Sequence, residues 1–339
     1  MLNKTTQLQR TILGVTAVLA GLFMMYLAPT MGMKTLKIAL ENVMERLIPF
    51  DPDFYPAVPI LGATYGVWFV LLWMAGAMSL VIAKKVYEGA EWARGTMLGL
   101  FAVPAVAGMT MFIPWMVLVV SDYSSGPVAG ILPPPANLPV PPVLPVMIFG
   151  LIFYFIALLA DQDTIKNKIL KLIPYTAIGV VAGMVFMNGQ HGVRYFIFIP
   201  EYLEYTSSFH ALGNFYTNLD HYDALQLVKT SQAQINAGQI TKTVEAVYDP
   251  NTLTLLLGGF MNYLSSALMV LAIPFLALKK KIGYYMVLTT ALATALIGFD
   301  GYIVRHSFEW MVGGVMSLAL FIIFQLPIFK PFYLKAEDI

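Results

Sequence analysis

The chain contains no cysteine. That one absence excludes disulfides, thiolate metal sites, cysteine-held iron–sulfur clusters and covalently attached c-type haem. Charge is scarce as well. Only 12% of the 339 residues are Asp, Glu, Lys or Arg, about half the share in a soluble globular chain. The formal net charge of +1 provides neither a basic field suited to nucleic acid nor an acidic solubilising tail. The most restrictive scarcity is positional: eight apolar stretches carry no Lys, Arg, Asp, Glu or His in their central turns. Ion-coupled transport needs a carboxylate, histidine or lysine at depth, or a broken helix with freed carbonyls, and is disfavoured accordingly. Haem held by two histidines at mid-membrane is excluded, because His191, His210, His221 and His306 all lie outside the apolar stretches.

What is present is apolar. Hydrophobic residues make up 58% of the chain, and the mean hydropathy is +0.73. The stretches run over 11–32, 58–83, 96–120, 144–160, 170–188, 253–278, 283–300 and 308–329. A helical span needs about 20 predominantly apolar residues. The runs are continuous rather than alternating, so they predict helices and not barrel strands. The fold class expected is therefore an all-α polytopic membrane protein with eight transmembrane helices.

Orientation follows from the basic residues. If the N-terminus is cytoplasmic, the inner segments hold Lys4, Arg10, Lys84, Lys85, Arg94, Lys166, Lys168, Lys171, Lys279, Lys280, Lys281, Lys330 and Lys335, 13 of the 20. The longer outer segments hold the other seven. Both termini are thus expected in the cytoplasm and the chain in the cell membrane. The first stretch lacks a small-residue cleavage site and reads as a retained span.

Three organisational parts follow. Residues 1–188 hold five spans, with an outer amphipathic helix at 34–50 and a proline-rich outer loop at 126–145. Residues 189–252 form an outer aromatic and helical region. Residues 253–339 hold three spans and a cytoplasmic tail. In 34–50, Leu36, Leu40, Val43, Met44 and Leu47 share one helical face, which suits a helix lying in the interface or packed on top of the bundle. The prolines of 126–145 disfavour helix and sheet and predict an extended cover. The aromatics of 189–252, among them Tyr195, Phe198, Tyr202 and Phe209, read as an interfacial belt or as a face for an outer partner. Gly62 with Gly66, and Gly179 with Gly183, have the spacing of close helix approach. The segments VAGMTMF (106–112) and VAGMVFM (181–187) echo one another, which a duplicated hairpin or chance would each produce.

Polar residues gather at the outer ends of the spans. NGQHGVR closes the fifth with Asn188, Gln190, His191 and Arg194, and FDGYIVRHSFEW joins the seventh and eighth with Asp300, Arg305, His306 and Glu309. If these ends are neighbours, two histidines, two arginines and two carboxylates meet at one depth. Headgroup anchoring is the plain reading. The sharper one is an outer-leaflet quinone site built from His191, Arg194, Asp300, Arg305, His306 and Glu309, in which a histidine or carboxylate accepts a proton. Metal binding by the histidines is a third reading, without supporting spacing. In size, span count and outer polar cluster the chain resembles, in a general way, the multi-span membrane subunits of quinone-linked electron-transfer complexes. That likeness implies a subunit that anchors other membrane or outer-face proteins and is not catalytic alone. A transporter or channel for a weakly polar solute, with a continuous cavity reaching the midplane near Asn262 and Thr290, is the alternative. A membrane enzyme acting on a lipid or quinol is a third.

Overall fold

The computed structural model describes residues 5–47, 57–116, 119, 140–197, 250–305 and 308–338, and every regular element among them is helical. Helix α1 runs over Gln7–Leu47, α2 over Ala57–Tyr87, α3 over Glu91–Trp115 and α4 over Leu144–Leu159. Then follow α5 over Ile165–Ile197, α6 over Pro250–Ala277, α7 over Lys281–Arg305 and α8 over Phe308–Gln325. Seven of these helices are long and apolar enough to cross a membrane; α4, at 16 residues, is the shorter apolar one. Their outward faces carry large apolar side chains such as Val70, Met74, Leu264 and Leu296. Such faces would be unstable in water over this area, and a bilayer is the environment that suits them.

Helix α1 starts on a capping box in which Thr6 Oγ1 accepts from Gln9 N and Gln9 Oε1 accepts from Thr6 N. It then continues for 41 residues, about 60 Å at 1.5 Å per residue. The interfacial helix expected at 34–50 is therefore no separate element as far as Leu47: it prolongs the first span. Of the expected apolar face, Leu36, Val43 and Leu47 are buried and Leu40 is half-buried against the bundle, whereas Met44 is exposed. A wide π-type turn at Phe23–Leu27 precedes Pro29, which has no N–H to continue the regular ladder. Residues 126–139 and 198–249, which include most of the proline-rich and aromatic regions, lie outside the described residues.

The helices form two sequential groups of four, α1 to α4 and α5 to α8, joined mainly where α3 meets α6 and α5. Helix α3 is the most enclosed, with Met97, Phe101, Ala107 and Met111 fully buried. The two echoing segments sit on α3 and α5, the third helix of one group and the first of the next. Each packs most extensively on the helix that follows it, α3 on α4 and α5 on α6.

Close approach occurs at glycines other than the expected pairs. A Cβ on Gly108 would strike the Met147 backbone, and one on Gly150 the backbone of Pro104 and Ala105. That is how α3 and α4 cross. Gly62 and Gly66 face open space, because they lie on the outward side of α2. Gly183 takes the Met109 side chain, while Gly179 is hardly covered.

At the end of the bundle where α1 begins, the chain folds back on itself after α8. Tyr333 is fully buried, stacks on Phe324 at 4.6 Å and on Tyr284 at 5.8 Å, and donates to Phe324 O at 2.7 Å. Burial pushes the Tyr333 hydroxyl above the ordinary tyrosine range. Lys279 Nζ donates to Pro331 O, and Lys281 pairs with Asp338 at 2.8 Å. The tail is thereby tied to the α6–α7 turn.

Candidate functional site

The C-terminal end of α5 and the N-terminal end of α8 are neighbours. Asn188, buried on α5, donates from Nδ2 to Glu309 O in the first turn of α8 at 3.3 Å. Gly313, one turn further along α8, leaves the space the Asn188 amide occupies. Helix α7 joins them because Gly298 lies on Gly314 and Gly301 on the Trp310 ring. Of the six residues selected from sequence, Glu309 is half-buried and Asp300 exposed. His191, Arg194 and Arg305 stand on described helix backbone, with side chains outside the description, and His306 lies outside the described residues. The structure thus brings together the helix ends that carry these residues. One bond between these ends runs from the Asn188 amide to the Glu309 backbone carbonyl.

At depth the polar side chains are mostly occupied. Thr290 Oγ1 donates to Met286 O, and Thr294 Oγ1 lies 2.9 Å from Ser317 Oγ across α7 and α8. Ser266 Oγ donates to Ala182 O at 2.7 Å. Asn262 is the exception: it is 1% exposed, and neither Nδ2 nor Oδ1 has a partner among the described residues. A buried amide left so costs about 1–3 kcal/mol per unmet group.

Two features escaped the sequence reading. The first is an ionic clasp at the α1-start end. Asp161, in the turn between α4 and α5, is 1% exposed. Its Oδ2 lies 2.6 Å from Lys171 Nζ and 3.6 Å from Arg94 NH2, and Lys168 Nζ stands 4.0 Å from Oδ1. Gln9 of α1 donates to Asp161 O at 3.1 Å, and Arg94 also reaches Ala157 O. The Asp161 carboxylate therefore ties α3 to α5, while its backbone carbonyl holds α1 and Arg94 reaches α4. In the sequence Arg94, Lys168 and Lys171 served only as basic residues of the inner segments. The signal available was Lys168 and Lys171, one helical turn apart, just after an aspartate at a span exit.

The second is a cleft of about 460 Å³ between α2 and α6, closed behind by Val103 of α3 and Phe186 of α5. Its walls are aromatic. Phe186 meets Trp68 at 5.1 Å and Tyr263 edge-on at 4.8 Å, and Thr64 lines the same cleft. The indole Nε1 of Trp68 has no acceptor among the described residues. Val67 and Leu271, more than two-fifths exposed, form its rims, so it opens sideways through the apolar face. Phe186 and Asn188 are two residues apart on α5 and point to different sides, so the cleft and the α5–α8 contact are separate places. No group of three or more metal-ligating side chains occurs among the described residues.

Compared with protein-family models, with curated proteins and with solved structures, the chain matches none.

Proposed function

We propose that the chain is an eight-span protein of the cell membrane, with Leu144–Leu159 as the short eighth span and both termini cytoplasmic, and that it serves as a subunit of a larger electron-transfer complex. It anchors membrane and outer-face partners and works with them rather than alone. Its outer end contributes to a quinone site through His191, Arg194, Asp300, Arg305, His306 and Glu309. The observation that carries this reading is the packing of α5 on α8 through Asn188 and Glu309. The six residues belong to chain segments adjoining that contact. The distribution of Lys and Arg supports the orientation, and the satisfied hydroxyls of Thr290, Thr294 and Ser266 leave little at depth for coupling an ion.

The test is affinity purification from native membranes in mild detergent, with an optical spectrum of the product. Co-purifying subunits with haem or flavin absorbance are expected. Recovery as a stable, partner-free monomer overturns the reading.

One observation favours the alternative of a transporter or channel for a weakly polar solute: the unpartnered, buried Asn262 amide. Flux of small neutral solutes into liposomes holding the purified chain measures it. Flux abolished by Asn262→Leu supports transport; liposomes no leakier than empty ones remove it.

A further inference from the structure

We infer that the groove between the start of α1 and the end of α2 holds an anionic phospholipid, with its phosphate at Lys84 and one acyl chain lying along α1. The inference rests on residence in a bilayer and not on the proposed role in electron transfer. The groove has a volume of about 410 Å³. Gly14 and Ala83 form its floor. A Cβ on Gly14 would come within 3.1 Å of Tyr87 Cβ, so the two helices approach closely there and leave the floor shallow. Val15, Val18 and Leu19 form one wall at helical spacing, each two-fifths or more exposed. From Thr11 to Leu19 this strip runs about 12 Å along the helix axis. An acyl chain follows the same direction.

At the end of the bundle the groove changes character. Lys84 stands in its wall with the side chain 84% exposed. Glu88, one turn on, is held by Lys85 at 2.7 Å and lies 4.0 Å from Lys84 Nζ, so Lys84 is the less neutralised of the two lysines. The Tyr87 hydroxyl accepts from Gln7 Nε2 at 3.3 Å, which leaves its own hydrogen to donate. Arg10 packs against Gly89 at the same corner and adds to the positive field. A cation and a hydroxyl donor at the head of an apolar strip match a phosphate at the head of an acyl chain, and basic pockets beside helix ends take anionic lipids in this way. A zwitterionic headgroup would bring a second cation towards Lys84 and gain less. The clefts between α2 and α6, between α5 and α8, and among α3, α4 and α5 have no charged side chain in their walls, so nothing in them selects an anionic headgroup.

The experiment uses the full chain in dodecyl maltoside micelles and a phosphatidylglycerol carrying a diazirine in one acyl chain, with labelled peptides mapped by mass spectrometry. Saturable labelling of residues 11–19 and 83–87, displaced by excess unlabelled phosphatidylglycerol but not by phosphatidylcholine, is expected. Lys84→Ala should weaken apparent affinity about fivefold. Lys280→Ala, at another exposed lysine of the same bundle end, should leave it unchanged. Val15→Trp, which fills the groove from an exposed wall position, should abolish the labelling in a chain that still unfolds cooperatively. Labelling that phosphatidylcholine displaces equally well makes the groove an unselective lipid contact and overturns the inference. Equal weakening by Lys84→Ala and Lys280→Ala assigns the effect to the general charge of that end and also overturns it, as does displaceable labelling confined to other helices.

Discussion

Lys171 Nζ lies 2.6 Å from Asp161 Oδ2, and both side chains are sealed from solvent where the turn between α4 and α5 meets α3 and α1. Ten residues separate them in the chain. The contact fixes the entry angle of α5, the helix that reaches the α8 contact at its other end. A buried pair of this kind contributes little relative to an apolar replacement, but removing one partner strands the other charge.

Asp161→Asn should therefore destabilise the protein by about 3–5 kcal/mol. Lys171→Met should cost less, because Arg94 remains 3.6 Å from the carboxylate. Thermal unfolding in detergent of the two single variants and the double variant measures the coupling. Additive effects would show that the pair does not interact.

Tyr333→Phe should cost about 1 kcal/mol through loss of the bond to Phe324 O. The pH dependence has a definite sign. The folded-state pKa is raised, so the contribution is complete below the unfolded tyrosine value of about 10 and is lost as pH rises above it. Stability of the natural chain should fall more steeply above pH 10 than that of Tyr333→Phe. Parallel unfolding curves for the two would refute the assignment.

Gly108→Leu and Gly150→Val should each prevent α3 and α4 from closing, since even a Cβ meets backbone there. The expected loss is at least about 3 kcal/mol. Gly62→Ala and Gly66→Ala point into open space and should leave the unfolding midpoint unchanged or slightly raised. A drop of several degrees in the Gly62 or Gly66 variants would mean that another helix packs on that face.

Asn188→Leu should loosen the α5–α8 contact by about 1 kcal/mol. It should also reduce co-purification of outer-face partners more than Asn167→Leu, a change at the opposite end of α5. Equal retention by both variants would separate the helix contact from partner binding.

The helices themselves were legible in the chain because burying backbone in lipid demands helix, and the apolar runs state where that happens. Their ends were less so. The first span showed an amphipathic change near residue 34 that reads as a boundary, yet α1 continues to Leu47 because Leu36, Val43 and Leu47 have a bundle face to pack on. The closeness of the ends of α5 and α8 was visible as polar sequence, but one bond between them runs from Asn188 to a backbone carbonyl, and no side-chain pattern announces a carbonyl.

By itself, then, the sequence determined an all-helical, multi-span membrane protein free of cysteine chemistry and of charge at the centre of its spans. Tertiary structure decided which glycines let helices touch, that Asp161 is a sealed clasp rather than a solvated charge, and that Trp68, Phe186 and Tyr263 share one cleft. The reason is physical. Lipid solvation acts on each segment separately and is written locally in composition, whereas crossings, ion pairs and clefts arise between residues tens to hundreds of positions apart.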